Sequence, residues 1–172
     1  MEITVLRYGH RDKRDERASM HVALVARAFG ARGIVYSGQK DSVFEQRVQK
    51  VAREWGGEFS ISYVEDWQRY VADFDGVFAH LTMYGLPVQK VVLKIRGAAK
   101  RILVMVGSQK VPAEAYELAD FNVAVTNQPH SEIAALAVFL DKLQNSRELE
   151  LEFEGGKKIV PMGMGKKVKM CK

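Results

Sequence analysis

Short runs of β-branched and other apolar residues alternate with stretches of helical periodicity along most of this sequence. Such alternation is typical of a parallel sheet, because parallel neighbours need a long connection, usually a helix that packs on the sheet. We therefore predict an α/β fold with a mainly parallel sheet and helices on both faces. The predicted strands cover residues 3–6, 33–36, 59–64, 76–81, 101–106 and 122–125.

Capping residues and glycines mark the predicted helix ends. Ser42 and Glu45 have the spacing of a capping box, and apolar residues then recur at helical spacing until Gly56. Ser19 is a candidate cap for an earlier helix that ends at Gly30. The apolar stripe of a last helix consists of Ile133, Leu136, Ala137, Leu140 and Leu143.

The C-terminal segment does not continue the alternation of strands and helices. Leu149, Leu151 and Phe153 alternate with glutamates, and two glycines and two further short runs, at residues 157–160 and 166–170, follow. This pattern is typical of short antiparallel strands with tight turns. We predict a β-hairpin extension at residues 148–172, attached to an α/β domain at residues 1–147.

The formal charge of +5 is concentrated at one end of the chain. Residues 155–172 contain six lysines and no acidic residue, so the first 154 residues sum to −1. A basic tail on a nearly neutral body is suited to contact a polyanion such as nucleic acid. Lysines also protect sheet edges against aggregation, so the tail alone leaves both interpretations open.

Some classes of protein are disfavoured by the sequence. No apolar run approaches the roughly 20 residues that a membrane-spanning helix needs, and the first residues do not resemble a signal peptide. With a single cysteine, Cys171, and four widely spaced histidines, neither a disulfide framework nor a metal site is expected. We expect a cytoplasmic protein with no metal and no membrane partner.

Loops rich in glycine and hydrogen-bonding side chains follow three of the predicted strands, at residues 80–86, 107–112 and 126–132. Ligands bind outside the carboxyl ends of strands in open α/β sheets, and Gly107 lets a ligand approach the backbone closely. Each loop alone also fits an ordinary turn or helix cap. The sequence lacks the P-loop, the dinucleotide-binding glycine pattern and the nucleophile elbow. Together the loops favour a nucleoside site of another kind.

Basic residues crowd the end of the first predicted strand. Arg7, His10, Arg11 and Arg14 are candidates for contacting RNA, although the acidic residues among them also fit a self-paired, solvated surface. Arg27 differs because it lies between alanines in an otherwise apolar helix. It either reaches the surface along its aliphatic stem or points its planar guanidinium at a phosphate.

Four segments resemble the archaeal tRNA (cytidine-56) 2'-O-methyltransferase family of the SPOUT superfamily: residues 7–11, 21–31, 80–86 and 127–137. The resemblance covers nearly the whole chain. It implies a C-terminal deep trefoil knot, a homodimer, tRNA as the partner and S-adenosylmethionine as the cofactor. The residues that it implies for cofactor binding are Leu81, Thr82, Gly107, Ser108, Gln109, Lys110, Val111, Val125, Thr126, Asn127, Gln128, Pro129, His130, Ser131 and Glu132.

The reaction implied by the resemblance is attack of a ribose 2'-hydroxyl on the methyl group of the cofactor. Alignment of the two groups can supply about 7–11 kcal/mol of the acceleration. Arg27 is the catalytic candidate, as the group that holds the target phosphate and stabilises the developing alkoxide. The chain departs from the resemblance at Gln109, where the family usually has glutamate, and at His21, where the wider superfamily often has asparagine.

Three other functions remain open at this point. The chain is alternatively a knotted methyltransferase for another RNA nucleotide, or an RNA-binding α/β module without catalysis. An oxidoreductase or small-molecule transferase on a doubly wound sheet is a further alternative, against which the missing glycine pattern counts.

Overall fold

The computed structural model describes residues 1–171, and its centre is a six-stranded sheet. The strands are β1 (Glu2–His10), β2 (Gly33–Gly38), β3 (Ser60–Tyr63), β4 (Val77–Pro87), β5 (Arg101–Gly107) and β6 (Phe121–Ala124). Their order in the sheet is β3-β2-β1-β5-β4-β6, and each neighbouring pair is parallel. The predicted parallel sheet is confirmed.

Helices cover both faces of this sheet, also as predicted. They are α1 (Glu16–Ala28), α2 (Ser42–Trp55), α3 (Trp67–Ala72), α4 (Val88–Ala98), α5 (Ala113–Leu118) and α6 (Glu132–Gln144). The longer helices α1, α2, α4 and α6 pack on one face, and α3 and α5 pack on the other. In the described part of the chain, no helix has the length and apolar character to cross a membrane.

The position of the central strand β5 explains why its sequence is apolar at successive positions. Ile102, Val104 and Val106 enter the core under the longer helices, whereas Leu103 and Met105 enter the core under α3 and α5. All five are at most 1% exposed. Because both faces are covered, the usual alternation of polar and apolar residues is absent from β5.

Two predicted helix caps are wrong, one by one residue and the other by four. Asp41, and not Ser42, caps α2, because its Oδ1 accepts hydrogen bonds of 2.9 Å from the backbone N–H groups of Val43 and Phe44. Helix α1 begins at Glu16, so Ser19 lies inside its first turns with its side chain buried. The Ser19 hydroxyl is hydrogen-bonded to buried residues that the local sequence pattern does not identify.

The C-terminal segment confirms one prediction and corrects another. Strands β7 (Lys157–Val160) and β8 (Lys167–Met170) form the predicted antiparallel hairpin. Residues 147–150 form a 3-10 turn and residues 151–154 are irregular, so the strand predicted there is wrong. Left-handed conformations at Asn145 and Ser146 turn the chain sharply after α6. Lys172, counted among the six lysines of the tail, lies outside the described residues.

We predict that Asp41→Ala lowers the free energy of unfolding by about 1–2 kcal/mol, because it removes the cap of α2. Burial raises the pKa of Asp41, but hydrogen bonds from Phe44, His10 and Val43 outweigh burial and hold it below its ordinary value. The stabilisation is therefore present at neutral pH and decreases as the pH falls below about 4.

Urea unfolding of both proteins between pH 3 and pH 7 measures this difference. Asp66→Ala is the matched control, since Asp66 caps the short helix α3 through a single exposed bond to Arg69 N (2.9 Å). A wild-type advantage over Asp41→Ala that stays constant down to pH 3 would contradict the electrostatic part of this account.

Candidate functional site

The three segments singled out in the sequence border one cavity of about 370 Å³. Two of them are loops, whereas residues 80–86, predicted as a loop, continue β4 past an irregularity in its pairing with β6. The cavity lies at the carboxyl ends of β4 and β5, beside the first turn of α6. The residues that line it are His80, Leu81, Thr82, Met83, Tyr84, Val106, Gly107, Ser108, Gln109, Lys110, Val111, Tyr116, His130, Glu132 and Ala135. Because the sheet is parallel, these strand ends share one edge, as the rule for ligand sites in α/β sheets requires.

The structure divides the fifteen predicted cofactor residues into two groups. Nine of them line the cavity: Leu81, Thr82, Gly107, Ser108, Gln109, Lys110, Val111, His130 and Glu132. The other six, Val125, Thr126, Asn127, Gln128, Pro129 and Ser131, are not among the lining residues. The loop between β6 and α6 therefore contributes its end to the cavity and not its whole length.

Two residues of that loop have structural roles instead. The Asn127 side-chain amide donates to the carbonyl oxygens of Met83 (2.7 Å) and Gly85 (3.1 Å). Ser131 caps α6 by accepting from the backbone N–H groups of Ile133 (3.1 Å) and Ala134 (3.4 Å). Asn127 thus fastens the loop that precedes α6 to the end of β4, which holds two walls of the cavity together.

Arg7 lies behind the cavity and is fully buried. Its Nε donates to Ser19 Oγ at 3.3 Å, one terminal nitrogen donates to the Gly107 carbonyl at 2.9 Å, and the other pairs with Glu132 Oε1 at 3.3 Å. Burial lowers the pKa of Arg7, and the Glu132 carboxylate opposes this shift. Because the guanidinium has no exposed surface, Arg7 cannot contact RNA in this conformation. This corrects the expectation that Arg7 binds RNA.

His10 is also fully buried and is corrected in the same way. Its ring bonds to Ser19 Oγ through Nδ1 (2.8 Å) and to Asp41 Oδ2 through Nε2 (3.2 Å). The ring stacks on Phe44, with 5.1 Å between centroids and 25° between planes. The sequence pattern did not reveal this role, because the partners lie 9 and 31 residues away along the chain.

The two other candidates for RNA contact are nearer the solvent. Arg11 forms a forked pair with Asp15, with distances of 2.7 and 3.0 Å, which is the self-pairing that the charge pattern allowed. The hydrogen bond from Arg11 is the main cause that lowers the pKa of Asp15. Arg14 is exposed in the turn between β1 and α1. Of the four residues predicted to bind RNA, Arg14 is therefore the most accessible.

The end of β1 is joined closely to the loop that follows β5. The Ser108 hydroxyl donates to the Gly9 carbonyl, and Ser108 N donates to the Tyr8 carbonyl at 2.9 Å. Gly9 has a φ of +73°, and a Cβ atom there would lie 2.9 Å from Gln109 Nε2. Only glycine fits this backbone without displacing Gln109 from the cavity wall.

Sequence reasoning did not assign six of the lining residues to the cofactor set: His80, Met83, Tyr84, Val106, Tyr116 and Ala135. Tyr116 comes from α5, on the face of the sheet opposite α6, and its hydroxyl lies 3.2 Å from Thr82 Oγ1. Short helix α5 carries no glycine-rich or polar loop pattern that would have marked Tyr116 as a site residue. Its contribution becomes visible only once the sheet is assembled.

Arg27 lies at the far end of α1 and does not border the cavity of its own chain. The helix starts beside the carboxyl end of β1 and runs back along the sheet for roughly 16 Å before it reaches Arg27. There the guanidinium donates to the Gly56 carbonyl and lies over the Phe153 ring, 4.8 Å from its centroid. Arg27 therefore does not contribute to the cavity of its own chain.

We predict that Arg7→Met destabilises the protein by about 3–5 kcal/mol, because it leaves the Glu132 carboxylate and the Gly107 carbonyl without their buried donor. Denaturant unfolding measures the loss. Arg14→Met is the matched control, since it removes an exposed cation and should change the unfolding free energy by less than about 0.5 kcal/mol. Equal stability of Arg7→Met and wild type would show that the buried guanidinium does not hold the loops.

Comparison with known proteins now identifies relatives of the chain. Residues 55–169 match the model of the family described as tRNA ribose 2'-O-methyltransferase, aTrm56. A tRNA (cytidine(56)-2'-O)-methyltransferase from Pyrococcus horikoshii is 50% identical over 170 residues, covering 96% of this chain and 84% of the relative. The Methanopyrus kandleri protein of the same name is 49% identical, with coverage of 95% and 94%. In Thermoplasma volcanium the identity is 50%, and the chain spans 49% of the relative's length.

Solved structures with the same fold share much less sequence. The TrmH/SpoU tRNA modifying enzyme from A. aeolicus superposes with a TM-score of 0.62 at 14% identity, over 87% of this chain and 77% of that one. The SpoU methyltransferase AviRb from Streptomyces viridochromogenes, solved in complex with AdoMet, gives a TM-score of 0.61 at 14% identity, over 85% and 58%. These two likenesses concern the fold, whereas the sequence relatives decide the family. The chain belongs to the tRNA ribose 2'-O-methyltransferase family, aTrm56.

Proposed function

We propose that this chain transfers a methyl group from S-adenosylmethionine to the ribose 2'-hydroxyl of cytidine 56 in tRNA. The observation that carries the proposal is the identity of about 50%, over nearly the whole chain, with relatives named for that reaction. The cavity at the carboxyl ends of β4 and β5 is where a ligand of such a sheet is expected.

The residues around the cavity suit a nucleoside cofactor. A volume of about 370 Å³ lies within the range of about 300–1,000 Å³ typical of small-molecule sites. Leu81, Val106, Val111 and Ala135 supply apolar walls. The hydroxyls of Thr82 and Ser108 and the side chains of Gln109, His130 and Glu132 supply a few polar groups, the combination expected where a ligand must be oriented.

When bound, the cofactor would supply an activated methyl group, and the chain's own residues position the partners of the reaction. The nine lining residues that the sequence predicted, together with His80 and Tyr116, form the proposed cofactor site. Arg14 is exposed in the turn that follows β1, so we assign it to the tRNA surface. Alignment of the ribose hydroxyl with the methyl group is the main acceleration that such a site can provide.

We also propose the trefoil knot and the homodimer that the sequence resemblance implied, and a cytoplasmic location, where tRNA is available as substrate. The hydrogen bonds from Asn127 to the carbonyls of Met83 and Gly85, and from Arg7 to Gly107 and Glu132, hold these segments against one another and support the proposed knot. The hairpin supports a partner chain, because Ile159, Val168 and Met170 share one of its faces and are 62%, 52% and 69% exposed. An apolar face of this kind is usually covered in an assembly.

Incubation with an unmodified tRNA transcript and methyl-labelled S-adenosylmethionine, followed by nuclease mapping, tests the function. We predict label at cytidine 56 only. The matched control is the same tRNA with a 2'-deoxyribose at position 56, which has no acceptor hydroxyl and should remain unlabelled.

Other results of this mapping distinguish the alternatives. Label at another nucleotide would overturn the substrate assignment while keeping the methyl transfer. Absence of label, together with a silent calorimetric titration of S-adenosylmethionine, would favour an RNA-binding module without catalysis.

The position of Arg27 leads to a separate prediction. Arg27→Lys should lower the free energy of unfolding by about 1–2 kcal/mol, because lysine cannot reproduce the forked contact with the Gly56 carbonyl or the stacking on Phe153. Turnover per folded molecule should stay within about threefold of wild type, measured well below the unfolding temperature.

Phe153→Ala is the control for this variant, since it removes the stacking partner without touching the guanidinium. Both variants should lose stability and keep turnover. A severe loss of turnover in Arg27→Lys at unchanged stability would instead show that Arg27 takes part in the reaction, for example at the cavity of a partner chain.

A further inference from the structure

The wall of the cavity contains a buried histidine whose hydrogen bonding is incomplete. His80 is 1% exposed, and its Nε2 atom has no hydrogen-bond partner among the described residues. Buried polar groups in native proteins are almost always paired, because an unpaired one loses its hydration without compensation. A single buried nitrogen left open beside a cavity therefore calls for a partner that the chain itself does not supply.

The neighbours of His80 determine which kind of group that partner is. His80 Nδ1 lies 2.9 Å from Asn122 Oδ1. The Asn122 amide nitrogen donates to the Tyr116 carbonyl at 2.9 Å, so the other Asn122 atom must be the oxygen, which only accepts. His80 Nδ1 therefore carries the hydrogen, and Nε2 is left with a lone pair.

The histidine is also neutral at physiological pH. Burial lowers the pKa of His80, and the hydrogen bond with Asn122 offsets only part of this effect. A neutral ring with its hydrogen on Nδ1 presents a hydrogen-bond acceptor at Nε2 and nothing to donate there. The missing partner is accordingly an N–H or O–H group.

The Tyr116 ring packs against the imidazole of His80. The two rings meet edge to face, with 4.7 Å between centroids and 87° between planes. Both residues line the cavity, and the Tyr116 hydroxyl is bonded to Thr82, which lines it as well. Because Nε2 itself is covered, a ligand has to displace a neighbouring side chain to reach it, and we infer that the half-buried Tyr116 ring is the one that moves.

We propose that His80 Nε2 accepts a hydrogen bond from the adenosine part of the methyl donor, through its 6-amino group or a ribose hydroxyl, and so positions the cofactor. This inference rests on the proposed function of the cavity. His80 is 1% exposed and belongs to the wall of the cavity, so we assign it to the small ligand of the cavity and not to tRNA. His80 is thus a recognition residue and not a base for the target hydroxyl.

The test uses wild type and His80→Asn with S-adenosylhomocysteine and three analogues, titrated by calorimetry. Asparagine keeps an N–H donor toward Asn122 but has no acceptor at the Nε2 position. The analogues carry N6,N6-dimethyladenine, 2'-deoxyribose or 3'-deoxyribose, so each lacks one candidate donor. His21→Asn, an exposed histidine on α1, is the matched control and should bind like wild type.

We expect one analogue to bind wild type about three- to tenfold more weakly than S-adenosylhomocysteine, as loss of one neutral hydrogen bond predicts. The same analogue should show no penalty in His80→Asn, and this identifies the donor. Because the comparison is made between ligands on one variant, a general change in folding cancels. Equal penalties in wild type and His80→Asn for all three analogues would overturn the proposal.

Nitrogen-15 NMR of the histidine rings gives a second readout that does not depend on a variant. In the free protein Nε2 of His80 should resonate as an unprotonated, unbonded nitrogen, and it should move upfield when S-adenosylhomocysteine binds. No movement despite calorimetric binding would overturn the role of His80, for instance because a buried water already bonds to it. Failure of S-adenosylhomocysteine to bind wild type at all would overturn the cofactor site itself, and this inference with it.

Discussion

The buried guanidinium of Arg7 is the interaction on which the arrangement of the site depends. It joins the end of β1 to α1 through Ser19, to the end of β5 through the Gly107 carbonyl, and to α6 through Glu132. A charge with no exposed surface is tolerated only when such partners surround it. The same contacts that solvate Arg7 therefore fix the relative positions of two cavity walls, Gly107 and Glu132.

A continuous polar network extends from this guanidinium through the core. Ser19 bonds both Arg7 and His10, and His10 bonds Asp41, which caps α2. The start of α2 and the cavity wall are thus connected by four side chains, each of which satisfies its neighbour. A network of this kind stabilises the fold more than the same pairs would separately. Loss of any one member would leave a buried polar group without a hydrogen-bond partner.

The sequence predicted the fold well and the site partly, and the difference has physical causes. Strands such as β5 are recognisable because burial on both faces requires unbroken apolar runs. The loops at strand ends were found because a parallel sheet brings those ends to one edge. Arg7 and His10 were predicted to face RNA because their surroundings come from distant segments: a charged residue near a strand end has the same local pattern whether it faces RNA or lies buried with a carboxylate. The hydrogen bonds from Asn127 to the backbone carbonyls of Met83 and Gly85 were likewise invisible in the local sequence.

The cavity draws its walls from residues 80–84, 106–111 and 130–135, with Tyr116 between the last two groups. These stretches are synthesised one after another, so a nascent chain on the ribosome has no complete pocket until α6 has emerged. A ligand that binds only the finished arrangement stabilises the final fold and none of the shorter intermediates. Contacts of such long sequence separation also form slowly, since loop closure precedes any gain from them. Small-molecule binding therefore comes late during biogenesis and reports that all of the cavity-lining segments have reached their final positions.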